Sequence, residues 1–286
     1  MPPDFPLLLK ESKFMPPQLY VAGRLPPIDA IGIAMVGTRR PSNSARELCR
    51  RLVNSLRGTK AVVISGLAQG IDSLCHEAAL EAGIPTIAVL AQGLDTHIEG
   101  SRGELATRIL KAGGAAISEF EPDEPAYKSH FPARNRIIAG LSQATIVVQS
   151  KEKGGALLTA DFCRKEGRML VAVPGDFDNE VAQGPNILLD GGLAKPVFIP
   201  ENLHQILGLP RDSAPRFEDM HQIGIGLSDA AEKMLRKNSG FKKTFTELES
   251  ETKLSPQVIL AILTELELAG FVKTQDNFQF YFNGAI

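Results

Sequence analysis

Several stretches of this chain place glycine, basic and amide-bearing residues where apolar runs end. They are "VGTRR" with Gly37, Thr38 and Arg39, "SGLAQGID" with Gly66, "HFPARNR" with Arg134, Asn135 and Arg136, and "SKEKGGALLTA" with Lys151, Lys153, Gly154, Gly155 and Thr159. A glycine at such a turn lets the backbone approach a phosphate. The free amides of the helix that follows favour an anion, and arginine or lysine adds charge. A mononucleotide needs one such entrance, whereas several along one edge suit a strand whose phosphates repeat.

The stretch from His130 to Gly140 raises a question of charge. Arg134 and Arg136 stand in front of the apolar run that begins at Ile137, and cations at a helix entrance oppose its dipole unless an anion lies between them. One arginine could face inward to brace loops while the other meets a ligand, or Arg136 could bond to the acidic "EFEPDE" segment. Asp72 and His76, four apart, share a helical face as an acid–base pair would, although a structural hydrogen bond beneath the loop is the preferred reading. Asp176, Asp178 and Glu180 match no defined oxygen cage and are expected to be loop acids. No metal site is therefore expected. Base stacking would rest on few rings, with Phe131 and Phe177 the candidates, since the chain has no tryptophan and three tyrosines.

The elements that must position these residues show in the hydrophobic pattern. Short β-branched runs at 31–37, 61–65, 86–90, 115–119, 144–149 and 169–173 alternate with amphipathic stretches such as "SARELCRRLVNSL". Near-continuous apolar strands separated by helices predict a doubly wound, mainly parallel α/β sheet covered on both faces. Its ligands belong beyond the carboxyl ends of the strands. Residues 1–30 are expected to pack on this domain as an extension. The domain itself is assigned to 31–208, and the proline- and charge-rich 209–226 to a linker. Residues 227–286 read as three helices and a hairpin turning at Asp276 and Asn277, an order suggesting a small winged helix. Its third helix, "SPQVILAILTELELAG", contains no lysine or arginine and carries Glu265 and Glu267, so it is expected to pack or bind a partner rather than lie in a charged groove. Lys233, Arg236, Lys237, Lys242 and Lys243 leave room for a weak auxiliary DNA surface.

Composition sets the outer limits. The formal net charge is −2 and 43% of residues are hydrophobic, which fits a globular fold and excludes a general polyanion sponge. The amino terminus is too short in apolar residues for a signal peptide or anchor, and no membrane is expected. Cys49, Cys75 and Cys163 lack metal-ligand spacing and fit a reducing cytoplasm. A Walker lysine motif and a spaced dinucleotide glycine fingerprint are both missing, which argues against ATP turnover and NAD chemistry.

Taken in order, "YVAG", "VGTRRPS", "SGLAQGID" with His76, "TIAVLAQGLD", "ISEF", "FPARNRIIAGLS", "GGALLTA" and "VPG" resemble the DNA-processing protein A (DprA, or Smf) family from Tyr20 to Leu209. The resemblance implies an extended Rossmann fold, a homodimer formed through it, and a cytoplasmic protein without cofactor or catalytic turnover. Such a protein would bind and protect the single-stranded DNA that arrives in natural transformation and help load the RecA recombinase. Carried over by motif, Arg39 is the leading phosphate contact, followed by Lys151 or Lys153, with Gly66, Arg134, Asn135 and Thr159 as pocket members. The chain departs from the family pattern at Gly154 to Ala156, where a serine-glycine-serine is usual, at Gln149, near a usual glutamate, and at Thr96 and His97, where a tyrosine-proline pair is usual. Two other classes are an N-glycosidase-like enzyme acting on nucleotides, whose glycine-rich stretch with a later glutamate is absent, and a nucleotide-sensing module.

Overall fold

The computed structural model describes residues 7–27, 29–210, 227–268, 271–275 and 279–282. Residues 211–226 of the expected linker, and the expected turn at Asp276 and Asn277, lie outside the described residues. Contacts divide the chain into two compact units, Met1–Pro210 and Arg211–Ile286.

The first unit runs α1 (Leu7–Lys10), β1 (Tyr20–Gly23), β2 (Ile31–Gly37), α2 (Ala45–Asn54), β3 (Ala61–Ser65), α3 (Ile71–Glu81), β4 (Thr86–Val89) and α4 (Gly100–Lys111). It continues with β5 (Ala115–Ser118), α5 (His130–Gly140), β6 (Ala144–Gln149), α6 (Ala156–Lys165), β7 (Met169–Ala172), α7 (Gln183–Asp190), β8 (Lys195–Pro196) and α8 (Leu203–Ile206). The eight strands lie in the order β1-β5-β4-β3-β2-β6-β7-β8. All pairs are parallel except β1 with β5. This is the doubly wound sheet the sequence predicts. The two edge strands were not in that expectation: β1 is the "YVAG" stretch, and β8 is two residues long. Neither has the apolar run that marked the central strands, because an edge strand buries less.

Why the core strands read as unbroken apolar runs is visible in their packing. Every residue of β3, β4, β5 and β6 is buried. Alternate residues serve opposite faces: Ile33, Met35 and Val63 pack with α2 and α3, while Ala34, Val36, Val62 and Ile64 pack with α5 and α6. A third cluster seats Leu105 and Ile109 of α4 on Ala88, Leu90 and Ala116. Fully burying one such side chain stabilises the fold by about 1.5–3 kcal/mol. Leu9 of α1 is fully buried in the α5/α6 cluster, which ties the amino-terminal segment to the sheet.

The second unit runs α9 (Asp229–Asn238), β9 (Lys242–Thr244), α10 (Phe245–Thr252), α11 (Pro256–Leu268), β10 (Val272–Gln275) and β11 (Gln279–Phe282). Its antiparallel sheet has the order β10-β11-β9. The three helices and the two hairpin strands match the expected order, and β9 adds a third strand built from Lys242 and Lys243. A capping box between Thr244 and Glu247 starts α10 immediately after that strand. The core of this unit is its own, with Met234, Leu248, Ile259, Ile262, Phe271 and Phe282 at its centre.

Candidate nucleic-acid interface

The carboxyl ends of β2, β3, β4 and β6 open at one edge of the sheet. At the point where strand order reverses, β2 and β6 are neighbours, and the loops that follow them are stitched together. Thr38 N donates to Gln149 O at 2.7 Å. The Gln149 amide then holds the next turn, with Ser42 N donating to Oε1 at 2.9 Å and Nε2 donating to Ser42 Oγ at 2.7 Å. On the other side, Ile71 N donates to Thr38 O at 3.1 Å. Gly70, with φ of 90°, lets this approach happen, since a Cβ there would lie 2.3 Å from Thr38 O. The crevice at the topological switch is therefore filled by the protein's own groups.

The open space lies one strand over, above the ends of β3 and β4. A cavity of about 310 Å³ is lined by Arg39, Gly66, Gln69, Gln92, Arg102, Phe131 and Arg134, with Leu67, Leu90 and Ile98 contributing its apolar surface. Exposed Arg39 lies over the Phe131 ring, its guanidinium carbon 4.9 Å from the centroid. Arg134 is only 4% exposed. Its Nη1 donates to Gly66 O at 2.5 Å and Val89 O at 2.6 Å, binding the ends of β3 and β4 together. Buried Asp72 is its electrostatic counterpart: burial pushes that carboxyl up and lowers the Arg134 guanidinium, and each charge offsets part of the other's shift. Gly66 leaves the room this requires, because a Cβ would sit 2.1 Å from Arg134 Nη1. The next residue, Leu67, is buried in the left-handed region with φ of 53°, a conformation costing about 1–3 kcal/mol that collects at ligand-binding loops.

Of the residues singled out from sequence, Arg39, Gly66 and Arg134 line this cavity. Gly37 and Thr38 form the backbone shoulder beside it. Asn135 takes the Arg134 Nε–H on its Oδ1 at 3.1 Å, and its Nδ2 lies 3.4 Å from Gly155 O, so it links α5 to the entrance of α6. That entrance carries the remaining residues and is a neighbouring group, not a wall of the cavity. Gly154 packs where a Cβ would lie 2.1 Å from Ser150 Oγ, Gly155 is open, and Lys153 is exposed. Lys151 is ion-paired with Glu180. Thr159 is 1% exposed within α6 and presents no surface to a strand. The expected single cleft thus resolves into two groups, with Lys151 paired to Glu180 of the β7–α7 loop and absent from the cavity lining.

The two arginines at 134 and 136 find their anions inside the protein. α5 begins at His130, so both lie in its second turn, beyond the strongest part of the dipole. Arg136 donates to Phe14 O and pairs with Glu119 of the acidic segment. His130 fixes the start of the helix by stacking on Phe120 at 3.8 Å between centroids. Asp72 and His76 are both buried but, contrary to expectation, do not bond to each other: Asp72 Oδ2 accepts from Gly66 N at 3.2 Å, and His76 Nε2 has no hydrogen-bond partner among the described residues. His76 is fully buried with Nδ1 2.7 Å from Thr86 Oγ1, which itself donates to Val63 O. Burial, then the nearby Arg134 charge, lowers its pKa to about 3, so the ring is neutral and does no acid–base work. Asp176 Oδ1 accepts from Asp178 N within its turn, as a loop acid does. No group of three potential metal ligands occurs among the described residues, and none of the described helices is long and apolar enough to cross a membrane.

Arg102, Gln69 and Gln92 were not anticipated. Arg102 carried a legible signal, namely a basic residue in the first turn of a helix that has no acid there. The strand before it ends in "LAQGLD", without a basic residue beside the glycine, so no motif marks Arg102.

The family profile described as DNA recombination-mediator protein A matches residues 1–208. Protein Smf of Escherichia coli (strain K12) is 34% identical over 289 residues, covering 94% of this chain and 75% of that protein. DNA processing protein DprA of Bacillus subtilis (strain 168) is 36% identical over 205 residues, covering 71% and 68%. The X-ray structure of DNA processing protein A from Streptococcus pneumoniae superposes with a TM-score of 0.63 at 34% identity, covering 70% of each chain. The Helicobacter pylori counterpart, a structure that concerns its single-stranded DNA binding mode, superposes at 0.65 and 29% identity, covering 72% of this chain and 94% of that one.

Proposed function

This chain belongs to the DNA recombination-mediator protein A family, and from that premise we propose that it binds single-stranded DNA in the cytoplasm, protects DNA entering by natural transformation, and helps load the RecA recombinase. The observation that carries the reading is the cavity over β3 and β4, with the exposed Arg39 held in place by Phe131 at its mouth. A guanidinium oriented before binding loses little freedom when it meets a phosphate. Exposed Lys151 and Lys153 and the open space at Gly155 belong to the neighbouring α6 entrance, and in this reading they extend the track along the backbone of a strand, Lys151 exchanging Glu180 for a phosphate. Gly66 and Arg134 shape the pocket, Asn135 braces Arg134 through its Oδ1, and Thr159 is buried within α6. Binding of this kind is dominated by phosphates, weak in sequence preference and steep in salt.

The reading is of a binding protein without cofactor or turnover. The acid and base that an N-glycosidase-like enzyme would need are not offered by Asp72 and His76, which are enclosed, Asp72 bonded to the Gly66 amide and His76 to Thr86 of β4. Incubation with nucleoside monophosphates checks this, with no release of free base expected. A nucleotide-sensing role is the second reading, favoured by a cavity near the small end of ligand sites. Comparing the affinity of AMP with that of a short oligonucleotide separates the two. We also read the first unit as the site of homodimer formation, and the second as a winged helix that packs or binds a partner, on the ground that α11 carries Glu265 and Glu267 and no lysine or arginine.

The central test is Arg39→Ala. Affinity for oligo-dT in a gel-shift titration should fall about tenfold, the value of one charge-assisted contact of roughly 1.5 kcal/mol, with thermal unfolding unchanged because Arg39 is exposed. Unaltered affinity would remove the basis of the reading.

A further inference from the structure

The inference below rests on the reading that the cavity above β3 and β4 receives DNA. Three arginines line that cavity, and their circumstances differ. Arg134 is enclosed and committed to two backbone carbonyls. Arg39 is held on Phe131. Arg102 is exposed and makes no ion pair among the described residues.

Its position is unfavourable unless something negative sits beside it. Arg102 occupies the first turn of α4, which contains no acidic residue, and the side chain of the N-cap residue Glu99 makes no capping bond and, among the described residues, no ion pair with Arg102. A cation there meets the positive end of the helix dipole. An anion in the cavity would face the guanidinium and the amide ends together and reverse the sign of that interaction.

Layering separates the two free arginines. α4 packs through Leu105 and Ile109 on the sheet face that carries Ala88 and Leu90, whereas α5, which supplies Phe131, covers the opposite face. The cavity therefore crosses the sheet edge from one helix layer to the other, with Arg102 in the first layer and Arg39 against Phe131 of the second. A volume of about 310 Å³ holds one nucleotide unit and not several.

We propose that Arg102 is the second phosphate-holding guanidinium of this cavity, and that the unit bound is an internal nucleotide of the strand with one phosphate at Arg39 and the adjoining one at Arg102. Its base lies against Ile98, the half-buried apolar side chain of the cavity wall. A nucleotide at a chain end or free in solution, with a single ester phosphate, engages only one of the two arginines.

The test uses the full-length chain and a fluorescent oligo-dT, read by anisotropy across a salt series, with dTMP and thymidine 3′,5′-bisphosphate as competitors. In the wild type the bisphosphate should displace the oligonucleotide at a several-fold lower concentration than dTMP. Arg102→Ala should abolish that difference and reduce the slope of log affinity against log salt by about 0.7, the amount for one phosphate of a single strand. Arg102→Lys should restore the slope, which a merely structural role would not predict. An Arg102→Ala protein with the wild-type slope and an intact preference for the bisphosphate overturns the proposal. If Arg39→Ala weakens oligo-dT binding in that experiment, only the role of Arg102 falls. If both alanine variants bind as the wild type does, the cavity is not the DNA site and the functional reading falls with it.

Discussion

His76 shows how a residue that looks chemical can be structural. Its folded pKa of about 3 lies below the ordinary 6.5, so between these values the unfolded chain binds the extra proton. Stability through this group is present above pH 6.5 and is lost as pH falls towards 3, by up to about 1.4 kcal/mol per pH unit. Asp72, whose carboxyl is raised, contributes in the opposite sense just above its ordinary value. Urea unfolding of wild type and His76→Gln at pH 7, 5.5 and 4.5 should therefore show the variant losing less stability on acidification; parallel losses would mean that His76 is protonated in the fold. Arg136 belongs to the same scale. Its partner Glu119 has a side chain 9% exposed, so Arg136→Ala leaves a carboxylate short of its counter-charge and should cost about 3 kcal/mol. Since burial already raises the Glu119 carboxyl, the loss should shrink as pH drops and the group protonates, which the same unfolding series would read.

Among elements, the decisive joint is where the β2–α2 loop meets the start of α3. Gly70 sits with φ of 90° against Thr38 O and the Arg39 backbone. Gly70→Ala adds both a disfavoured backbone conformation and a contact at 2.3 Å with a carbonyl that cannot move freely. It should destabilise the protein by at least about 2 kcal/mol and, by displacing Arg39, weaken oligo-dT binding as well. A variant with wild-type melting and wild-type affinity would show that this loop is not held as described. Gln149 plays the complementary part from β6 by holding Ser42, and two residues on Lys151 pairs with Glu180 of the β7–α7 loop.

At the scale of the molecule, the two units have separate cores, one built on the eight-stranded sheet and one on α9, α10 and α11. A chain ending at Pro210 should unfold in a single cooperative transition by circular dichroism and keep most of the affinity for oligo-dT, because the cavity and the basic loops all lie in the first unit. Loss of binding on truncation would assign the second unit a direct role with the nucleic acid.

The amino-acid order alone was enough for the parallel sheet, the central strand ranges and the edge at which the glycine-bearing loops emerge. Those features rest on local periodicity and on the rule that parallel strands need helical crossovers, and both are written in consecutive residues. Arg39, singled out by its motif as a phosphate contact, lies on the cavity wall. What tertiary packing decided was the direction of each side chain: Arg134 inward to two carbonyls, Arg136 to Glu119, Lys151 to Glu180, and Arg102 into the cavity from a helix that sequence motifs left unmarked. Charge partners are chosen by distance in space between segments far apart in the chain, and no spacing rule within one segment carries that information.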